Sequence, residues 1–477
     1  MKILKRLIKI LIALIGVLVL TAIITLWVDS LGTNYLNVNK NEPKSNNSYL
    51  IINVNVIPMN QDTVLVDKMV YIKEGIIQKI AETIEVSGVQ IFDAENRYLT
   101  PGLIDMHVHV WDRYELGLYL SNGVTAVRNL WGMPMHLRIK EDIIKSNIIS
   151  PTFFTTGPKL TGLEFIGDDN INLNNPSEAK EKVISYKARG YDLIKTYYGL
   201  DKEIFDAVVE QSNSSGIDIV AHPSQKVPFS YHLNTQIKSI EHAEEIVQQP
   251  LHFDLDTIKL QPIIDSISQS KHTSYCPTIT VFNNIYQMMM DDSILDSESL
   301  EYMNPLIKKV DSKKQFERWF NAKQEDPSTV ERIKRQHDFH ITIVKKLHEA
   351  GVTIICGTDA GIGVTLPGFS IHKELAFYKE AGLSNYEVLK TATINASQTH
   401  TIMNQLGTIE EGKIANFLLV DENPLIELSS LENPNYVFVK GRKLNRETLD
   451  SYNARAKNRK NLIASALRYL ENLMIEK

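Results

Sequence analysis

Cysteine is scarce: two occur in 477 residues. That excludes a disulfide scaffold and a cysteine-built zinc module. A surplus of either charge is also missing. The 51 lysines and arginines face 57 aspartates and glutamates, a formal charge of −6. That balance excludes a generally basic nucleic-acid binder and an acidic disordered tail, so no nucleic-acid partner is expected. No internal repeat is visible. What remains has the composition of a packed globular protein, 43% hydrophobic and 23% charged. The 13 histidines are then the place to look for metal chemistry.

The N-terminus is a separate object. Lys2, Lys5, Arg6 and Lys9 precede a run from Ile10 to Val28 with no charged residue. At ~1.5 Å per residue that run is about long enough to cross a ~30 Å hydrocarbon core. Positive charge before it places that end in the cytoplasm. Its length favours a signal anchor over a cleaved signal peptide, and Val28-Asp29-Ser30 is a weak cleavage site. With no cysteine nearby, a lipoprotein anchor is excluded. The expectation is an exported protein held by one N-terminal helix, with the catalytic domain outside the cytoplasm. The alternative is a secreted or periplasmic protein after cleavage. Residues 31–48, rich in Asn and Ser with Pro43, read as a flexible linker.

After the linker the chain alternates between strand and helix patterns. Tyr49 to Ile91 is short and β-rich, with turn residues at Asn60-Gln61-Asp62. From Pro101 on, eight apolar strand-like runs are each followed by a helical stretch. They are Leu103–His109, Val124–Leu130, Thr152–Thr156, Tyr191–Tyr197, Ile217–His222, Ile237–His242, Thr273–Ile279 and Val352–Thr358. Eight β/α units suggest a closed (β/α)8 TIM-like barrel. The charged stretch Asp291 to Ala350 is expected to hold extra helices over the barrel mouth. Ile414–Val420 and Tyr436–Lys440 return to β character and complete the small sheet. The predicted organisation is an N-terminal segment (1–30), the linker (31–48), a small β-sandwich domain (49–100 plus 405–445), the barrel (101–404) and a C-terminal helix (446–477). In that last helix Leu462, Ala466, Leu470, Leu473 and Met474 form an amphipathic stripe expected to pack.

The chemistry-bearing residues sit at the ends of these runs. His107 and His109 alternate onto one face of the first strand, so two imidazoles can chelate one metal. Strand five closes on His222, strand six on Glu241-His242 and strand eight on Gly357-Thr358-Asp359. Strand alternation turns Glu241 away from the site if His242 points in. Barrel enzymes place catalytic groups at these ends, and imidazole with carboxylate suits zinc, or manganese, iron or cobalt. Lys195 shares the inward face of its strand with Leu193 and Tyr197. A lysine there either snorkels to the mouth or is neutral, paired or modified. A neutral amine can take up carbon dioxide as a carbamate, a carboxylate on a long arm able to bridge two metals. His252, His272, His337, His340, His348 and His400 read as surface or helix residues. Cys276 and Cys356 read as buried apolar thiols.

Several motifs together carry a resemblance. They are Pro101-Gly102-Leu103-Ile104-Asp105-Met106-His107-Val108-His109, Gly123-Val124-Thr125-Ala126-Val127-Arg128, Ser239-Ile240-Glu241-His242, Gly357-Thr358-Asp359-Ala360-Gly361, and Gly412-Lys413-Ile414-Ala415-Asn416 through Asp421-Glu422-Asn423-Pro424-Leu425. The chain resembles the metal-dependent amidohydrolase superfamily from about Ser48 to Arg442, in its imidazolonepropionase-like and bacterial Xaa-Pro dipeptidase branch. Asn416 departs from the usual Asp, and the stretch between His222 and His242 departs from imidazolonepropionase itself. The resemblance implies two divalent metals, zinc first. His107, His109 and Asp359 would hold one and His222 and His242 the other. The Lys195 carbamate and a hydroxide would bridge them. Asp359 would move a proton from the hydroxide to the leaving nitrogen. The implied reaction is hydrolysis of a C–N bond in a dipeptide, N-acyl amino acid or cyclic amide. Tyr197, Tyr198, His136, Tyr231, His232 and His372 are candidates for binding the substrate. The competing readings are a mononuclear deaminase of the same superfamily and a catalytically inactive, membrane-anchored binding protein. An oligomer is compatible with each.

Overall fold

The computed structural model describes residues 2–39, 47–164, 170–233 and 237–477. Five strands precede the central unit: β1 (Tyr49–Val56), β2 (Leu65–Lys73), β3 (Ile76–Ala81), β4 (Gln90–Asp93) and β5 (Tyr98–Pro101). Three more follow it: β15 (Phe417–Val420), β16 (Tyr436–Val439) and β17 (Arg442–Asn445). They form one eight-stranded sheet in the order β17-β16-β15-β5-β1-β2-β3, with β4 beside β1. The join is the antiparallel β5–β15 pair, with Leu99 opposite Leu419 and Pro101 opposite Phe417. The two ends of the chain thus share a core of their own, built on Tyr49, Ile51, Val70, Leu99, Phe417 and Phe438. It is one hydrogen-bonded sheet, not the two separate sheets of a sandwich.

Between these segments all strand pairing is parallel. β6 (Leu103–Val108), β7 (Val124–Asn129) and β8 (Thr152–Thr155) form one sheet. β9 (Lys159–Thr161), β10 (Asn170–Asn172), β11 (Leu193–Thr196), β12 (Asp218–Ala221), β13 (Ile237–Glu241) and β14 (Ser274–Cys276) form another, in the order β10-β9-β11-β12-β13-β14. Single parallel bridges link their ends: Thr156 with Leu193, Tyr275 with Ile354, and Ala360 with Val108. The expected eighth strand, Val352–Thr358, is thus an irregular segment bridged on both sides rather than a ladder. Gly357 shows why. A Cβ there would lie 2.5 Å from Cys276 Sγ and 2.7 Å from His107 Cβ, so the backbone runs too close to β6 and β14 for a side chain. β6, β7 and β11 are buried along their whole length, as parallel strands covered on both faces are.

Capping residues set where the helices release the chain into strands. Asn175 accepts from Glu178 N, Pro176 follows at the first turn, and Gly190 at φ 97° ends the helix Pro176–Arg189 before β11. Asp201 and Gly216 (φ 60°) do the same for Lys202–Ser215 before β12. These two stops aim the strands that carry Lys195 and, one residue past β12, His222. The charged region after Asp291 forms the helices Lys313–Glu325 and Ser328–Glu349, as its composition predicts.

Two expectations about the ends are corrected. Residues 31–39 are not a free spacer. Val38 N donates to Asn147 O at 2.8 Å, Ile149 N donates to Leu36 O at 2.6 Å, and Leu36 is fully buried. Tyr35 packs against Tyr114 and Tyr452. The rest of the predicted linker falls largely on 40–46, outside the described residues. The apolar N-terminal segment is one helix, Lys2–Gly32, with the length and hydropathy of a signal anchor or signal peptide. In the C-terminal helix Leu462–Glu476 the expected packing stripe packs only in part: Leu462, Ala466 and Leu473 are half-buried, and its outer edge is exposed. Leu470 and Met474 are 51% and 77% exposed, while Ala464, Ser465, Asn472 and Glu476 are buried. Polar bonds hold that inner face, described below.

Candidate metal centre

The strand ends converge on a cavity of about 380 Å3. Its floor is polar: His107, His109, Lys195, His242 and Asp359. Its walls carry Trp111, Trp131, Tyr197, Lys159 and Tyr469, with Leu306, Ile307, Val310, Asp311 and Lys314 from the charged stretch after Asp291. A larger hollow of about 580 Å3 lies beside Gln225, Phe229 and Pro262, and it holds no group of ligand atoms among the described residues.

His107 and His109 alternate inward as strand geometry requires. Asp359 Oδ1 lies 3.2 Å from His107 Nε2 and 2.7 Å from His109 Nε2. Ligand atoms of His107, His242 and Asp359 all lie within 4.8 Å of one another. The ring of His242 is 4.8 Å from that of His107 and 4.7 Å from that of His222. His222 therefore sits one ring farther along, with Nε2 3.0 Å from Glu245 Oε1 but out of line for a hydrogen bond. Asp359 thus lies against both histidines of the first expected half, His222 and His242 of the second half lie ring to ring, and His107 with His242 brings the two halves together.

Two of these residues reach the site through strained backbone. His242 has φ 71° and Asp359 φ 58°, a left-handed conformation that costs non-glycine residues of order 1–3 kcal/mol and clusters at functional sites. The turn at His242 overturns the expectation for Glu241. Within β13, Ser239 and Glu241 point to the interior, and His242 rejoins them only because its backbone turns left-handed. Glu241 is fully buried, and its Oε2 accepts from His107 Nδ1 at 2.8 Å. That bond leaves His107 Nε2 as a lone pair facing Asp359, the tautomer a metal ligand needs. His242 Nδ1 meets Thr278 Oγ1 at 2.8 Å, which leaves its Nε2 for the site in the same way.

Protonation states follow from burial and charge. Burial holds the His107 imidazolium down to about 4, and Lys195 adds to that. His242 is held well below the ordinary histidine value by burial, then by His222 and His107. Burial pushes the Asp359 carboxyl up, but His107, His109 and His242 outweigh it and keep it ionised. Neutral imidazoles beside an ionised carboxylate form a donor set ready for a divalent cation.

Lys195 is the anomaly. It is 1% exposed, and its Nζ has no hydrogen-bond partner. Burial lowers its pKa to about 8. An unpaired buried ammonium costs several kcal/mol, so the amine at this position is suited to being neutral or modified. Nδ1 of His222 and Nδ1 of His109 are likewise buried without a hydrogen-bond partner, while His222 Nε2 faces the Glu245 carboxylate. Lys195 Nζ and His109 Nδ1, both orphaned and both on residues of the cavity floor, are what a site for a missing group looks like.

The substrate-binding candidates separate. Tyr197 lines the cavity, with Lys159 Nζ 4.5 Å over its ring. Tyr198 points to Glu245, its hydroxyl donating to Oε1 at 2.9 Å. His136, Tyr231, His232 and His372 do not line the cavity. His136 Nδ1 accepts from Met133 N and its Nε2 donates to Val110 O, so it ties a helix start to the strand end. His232 accepts from Ser224 N, and Tyr231 packs on Phe205. His372 Nε2 donates to Asn122 O. Polar bonds to backbone occupy these histidines. Among the others, His400 is buried rather than on the surface, between Arg128 and Asp218. Sequence reading missed Glu241, Lys159, Trp111, Trp131 and Tyr469. Trp111 was within reach, since it continues the 107, 109 alternation. Tyr469 lies on a remote helix and carries no local signal.

Residues 255–444 match the amidohydrolase family. This region is an amidohydrolase family domain. It includes Asp359 but none of the other expected ligands. A dihydroorotase from Carboxydothermus hydrogenoformans is 46% identical over 63 residues, 13% of this chain and 14% of that protein. An imidazolonepropionase from Thermoanaerobacter pseudethanolicus is 37% identical over 78 residues, 16% of this chain and 19% of that protein. The chain thus aligns with less than a fifth of the length of either relative. Among solved structures, bottromycin amidohydrolase superposes with TM-score 0.71 at 24% identity, covering 87% of this chain and 91% of that one. A Xaa-Pro dipeptidase with methionine bound in its active site gives TM-score 0.64 at 21% identity, covering 83% and 100%. At these identities the likeness is one of fold.

Proposed function

We propose that the protein is a membrane-anchored, binuclear metal-dependent amidohydrolase that hydrolyses a C–N bond in a dipeptide, N-acyl amino acid or cyclic amide. In this reading the eight parallel segments of residues 101–404 close as a (β/α)8 barrel through their three bridges. Residues 49–100 and 405–445 form the small β domain. The helix Lys2–Gly32 holds the catalytic part outside the cytoplasm. The observation that carries the proposal is the partnerless Lys195 Nζ, buried on the same cavity floor as His107, His242 and Asp359.

His107, His109, His222, His242 and Asp359 would hold two divalent ions, zinc first, with carboxylated Lys195 between them. Such a pair supplies Lewis acidity and a lowered water pKa at neutral pH. The rest falls to the chain itself. Glu241 holds His107 in its ligand tautomer. Asp359 accepts a proton from attacking water and delivers it to the leaving nitrogen. Trp131 lines the cavity with an indole Nε1–H that has no partner, and it donates to a substrate oxygen. Tyr197 and Lys159 form the polar side of the same wall. The opposite side mixes apolar Trp111, Leu306, Ile307 and Val310 with Asp311 and Lys314.

A mononuclear deaminase is the second reading. Its support is that one tight set, His107–His242–Asp359, suffices for one ion while His222 lies outside it. The test is to measure turnover and metal content of the full-length protein, with zinc and bicarbonate added, against dipeptide, N-acyl amino acid and lactam libraries. Two ions per chain and amide turnover are expected. One ion per chain with ammonia release from an aminated ring favours the second reading.

A further inference from the structure

We propose that the C-terminal helix Leu462–Glu476 lies on the membrane surface and inserts its outward apolar stripe into the lipid beside the N-terminal helix. This rests on the anchored reading of that helix.

The C-terminal helix leaves one apolar edge uncovered while its polar residues are buried. At 3.6 residues per turn, Ile463, Leu467, Leu470 and Met474 fall on one narrow stripe. Ile463, Leu470 and Met474 are 63%, 51% and 77% exposed. The opposite face carries Ser465, Asn472 and Glu476, all buried. This orientation is fixed by polar bonds. Arg138 grips Glu471 through both guanidinium nitrogens, at 2.7 and 2.6 Å. Arg189 does the same to Glu476, which also accepts from the Tyr191 hydroxyl. Asn304 Nδ2 donates to Ser465 Oγ at 2.9 Å. Turning the stripe inward would break all of these, so the apolar residues face out by construction.

What covers the stripe follows from its neighbour. The C-terminal helix packs against the last turns of the N-terminal helix. Arg468 pairs with Asp29, and Leu26 and Leu467 share one hollow. On the N-terminal helix Ala22, Thr25, Leu26, Asp29 and Gly32 are the described residues drawn from full exposure, one face of its last three turns. Asp29 is the first acidic residue of the chain and closes the uncharged run from Ile10 to Val28. Trp27, 60% exposed, stands at that end, as aromatic residues do at a membrane–water boundary. When the uncharged run spans the bilayer, its end at Asp29 lies at the boundary between hydrocarbon and the interfacial layer, and the stripe on the helix that Arg468 ties to Asp29 lies there too. A helix with one apolar and one polar face is suited to that layer. The same helix carries Tyr469 on the cavity wall, so the catalytic cavity opens about one helix diameter, ~10 Å, from the lipid.

The test uses the full-length protein in phosphatidylcholine vesicles. Cys276 and Cys356 are fully buried, so a fluorophore can be directed to a single new cysteine in Met474→Cys, Val17→Cys or Ile258→Cys. Ile258, 81% exposed on a distant helix, is the aqueous control. Lipids brominated on their acyl chains should quench the Val17 and Met474 probes at least threefold more than the Ile258 probe. Quenching at Val17 with Met474 behaving like Ile258 overturns the inference and leaves the anchor intact. Absence of quenching at Val17 overturns the anchor and the inference with it. A Met474 probe shielded from aqueous iodide yet untouched by bromolipid, with shielding that rises with protein-to-lipid ratio, assigns the stripe to a second copy of the chain and also overturns the lipid reading.

Discussion

Two buried polar clusters share the interior, and they differ in one respect. Around Arg128 every polar atom has a partner. Its Nε donates to Met106 O, one terminal nitrogen reaches Ser239 Oγ and His400 Nε2, and the other pairs with Glu241 at 2.9 Å. His400 in turn donates from Nδ1 to Asp218. A few ångströms away, across the His107–Glu241 bond, the cluster around Lys195 has gaps: Lys195 Nζ, Nδ1 of His222 and Nδ1 of His109. Residue types alone would not separate the two, since each mixes a cation, a carboxylate and histidine. Satisfaction does. A closed network is structural, and an open one at a cavity floor awaits a ligand. Mutations should therefore act on different quantities in the two clusters.

The largest effect is expected at Asp359. Asp359→Asn keeps the volume but removes the base, and loss of an acid–base group costs ~10²–10⁴ in rate. Turnover within tenfold of wild type would remove Asp359 from the chemistry. Arg128→Met belongs to the other cluster. It leaves Glu241 buried without its cation, a loss of ~3–5 kcal/mol in stability. Urea unfolding should show the shift equally with and without zinc. A shift confined to the zinc-loaded protein would merge the two clusters into one.

Lys195 gives a contrast of sign. Burial lowers its pKa from 10.5 to about 8 in the folded chain. Between those values the unfolded chain still binds a proton that the folded chain has released. Stability of the metal-free protein should therefore rise with pH from about 8 towards 10.5. Lys195→Met should flatten that rise without lowering stability at pH 7, the reverse of Arg128→Met. A parallel rise in both proteins would place the proton elsewhere. The smallest effect is expected at Trp131. Trp131→Phe removes one hydrogen-bond donor, worth ~0.5–1.5 kcal/mol. Steady-state kinetics should show KM raised about two- to tenfold with folding unchanged. An unaltered KM would take the indole out of substrate binding.

How far the sequence could be read depended on whether regular geometry held locally. His107 and His109 were legible because strand alternation persists through β6 and just past it. Lys195 was legible because a lysine inside an apolar strand has few neutral explanations. Glu241 was misjudged because His242 leaves strand geometry at φ 71°, which no residue pattern announces. The eighth strand was located but its form was not, because Gly357 marks a close backbone approach as readily as a turn. His136, His232 and His372 resemble site residues by type alone. What separates them is a backbone partner distant in sequence or across a turn, which a single chain does not display. The C-terminal stripe was found at the right spacing, but only Leu462, Ala466 and Leu473 pack while Leu470 and Met474 stand outward, since periodicity gives a face but not how much of it is covered.

The account turns on the open cluster being a two-ion site built around Lys195. The most direct measurement is metal content per chain, by elemental analysis, of wild type and Lys195→Ala after zinc loading with and without bicarbonate. Two ions per chain in wild type, more complete with bicarbonate, and a loss in Lys195→Ala that a small carboxylic acid partly restores are the predicted results. One ion or none in wild type, unchanged by bicarbonate and equal in Lys195→Ala, would contradict it.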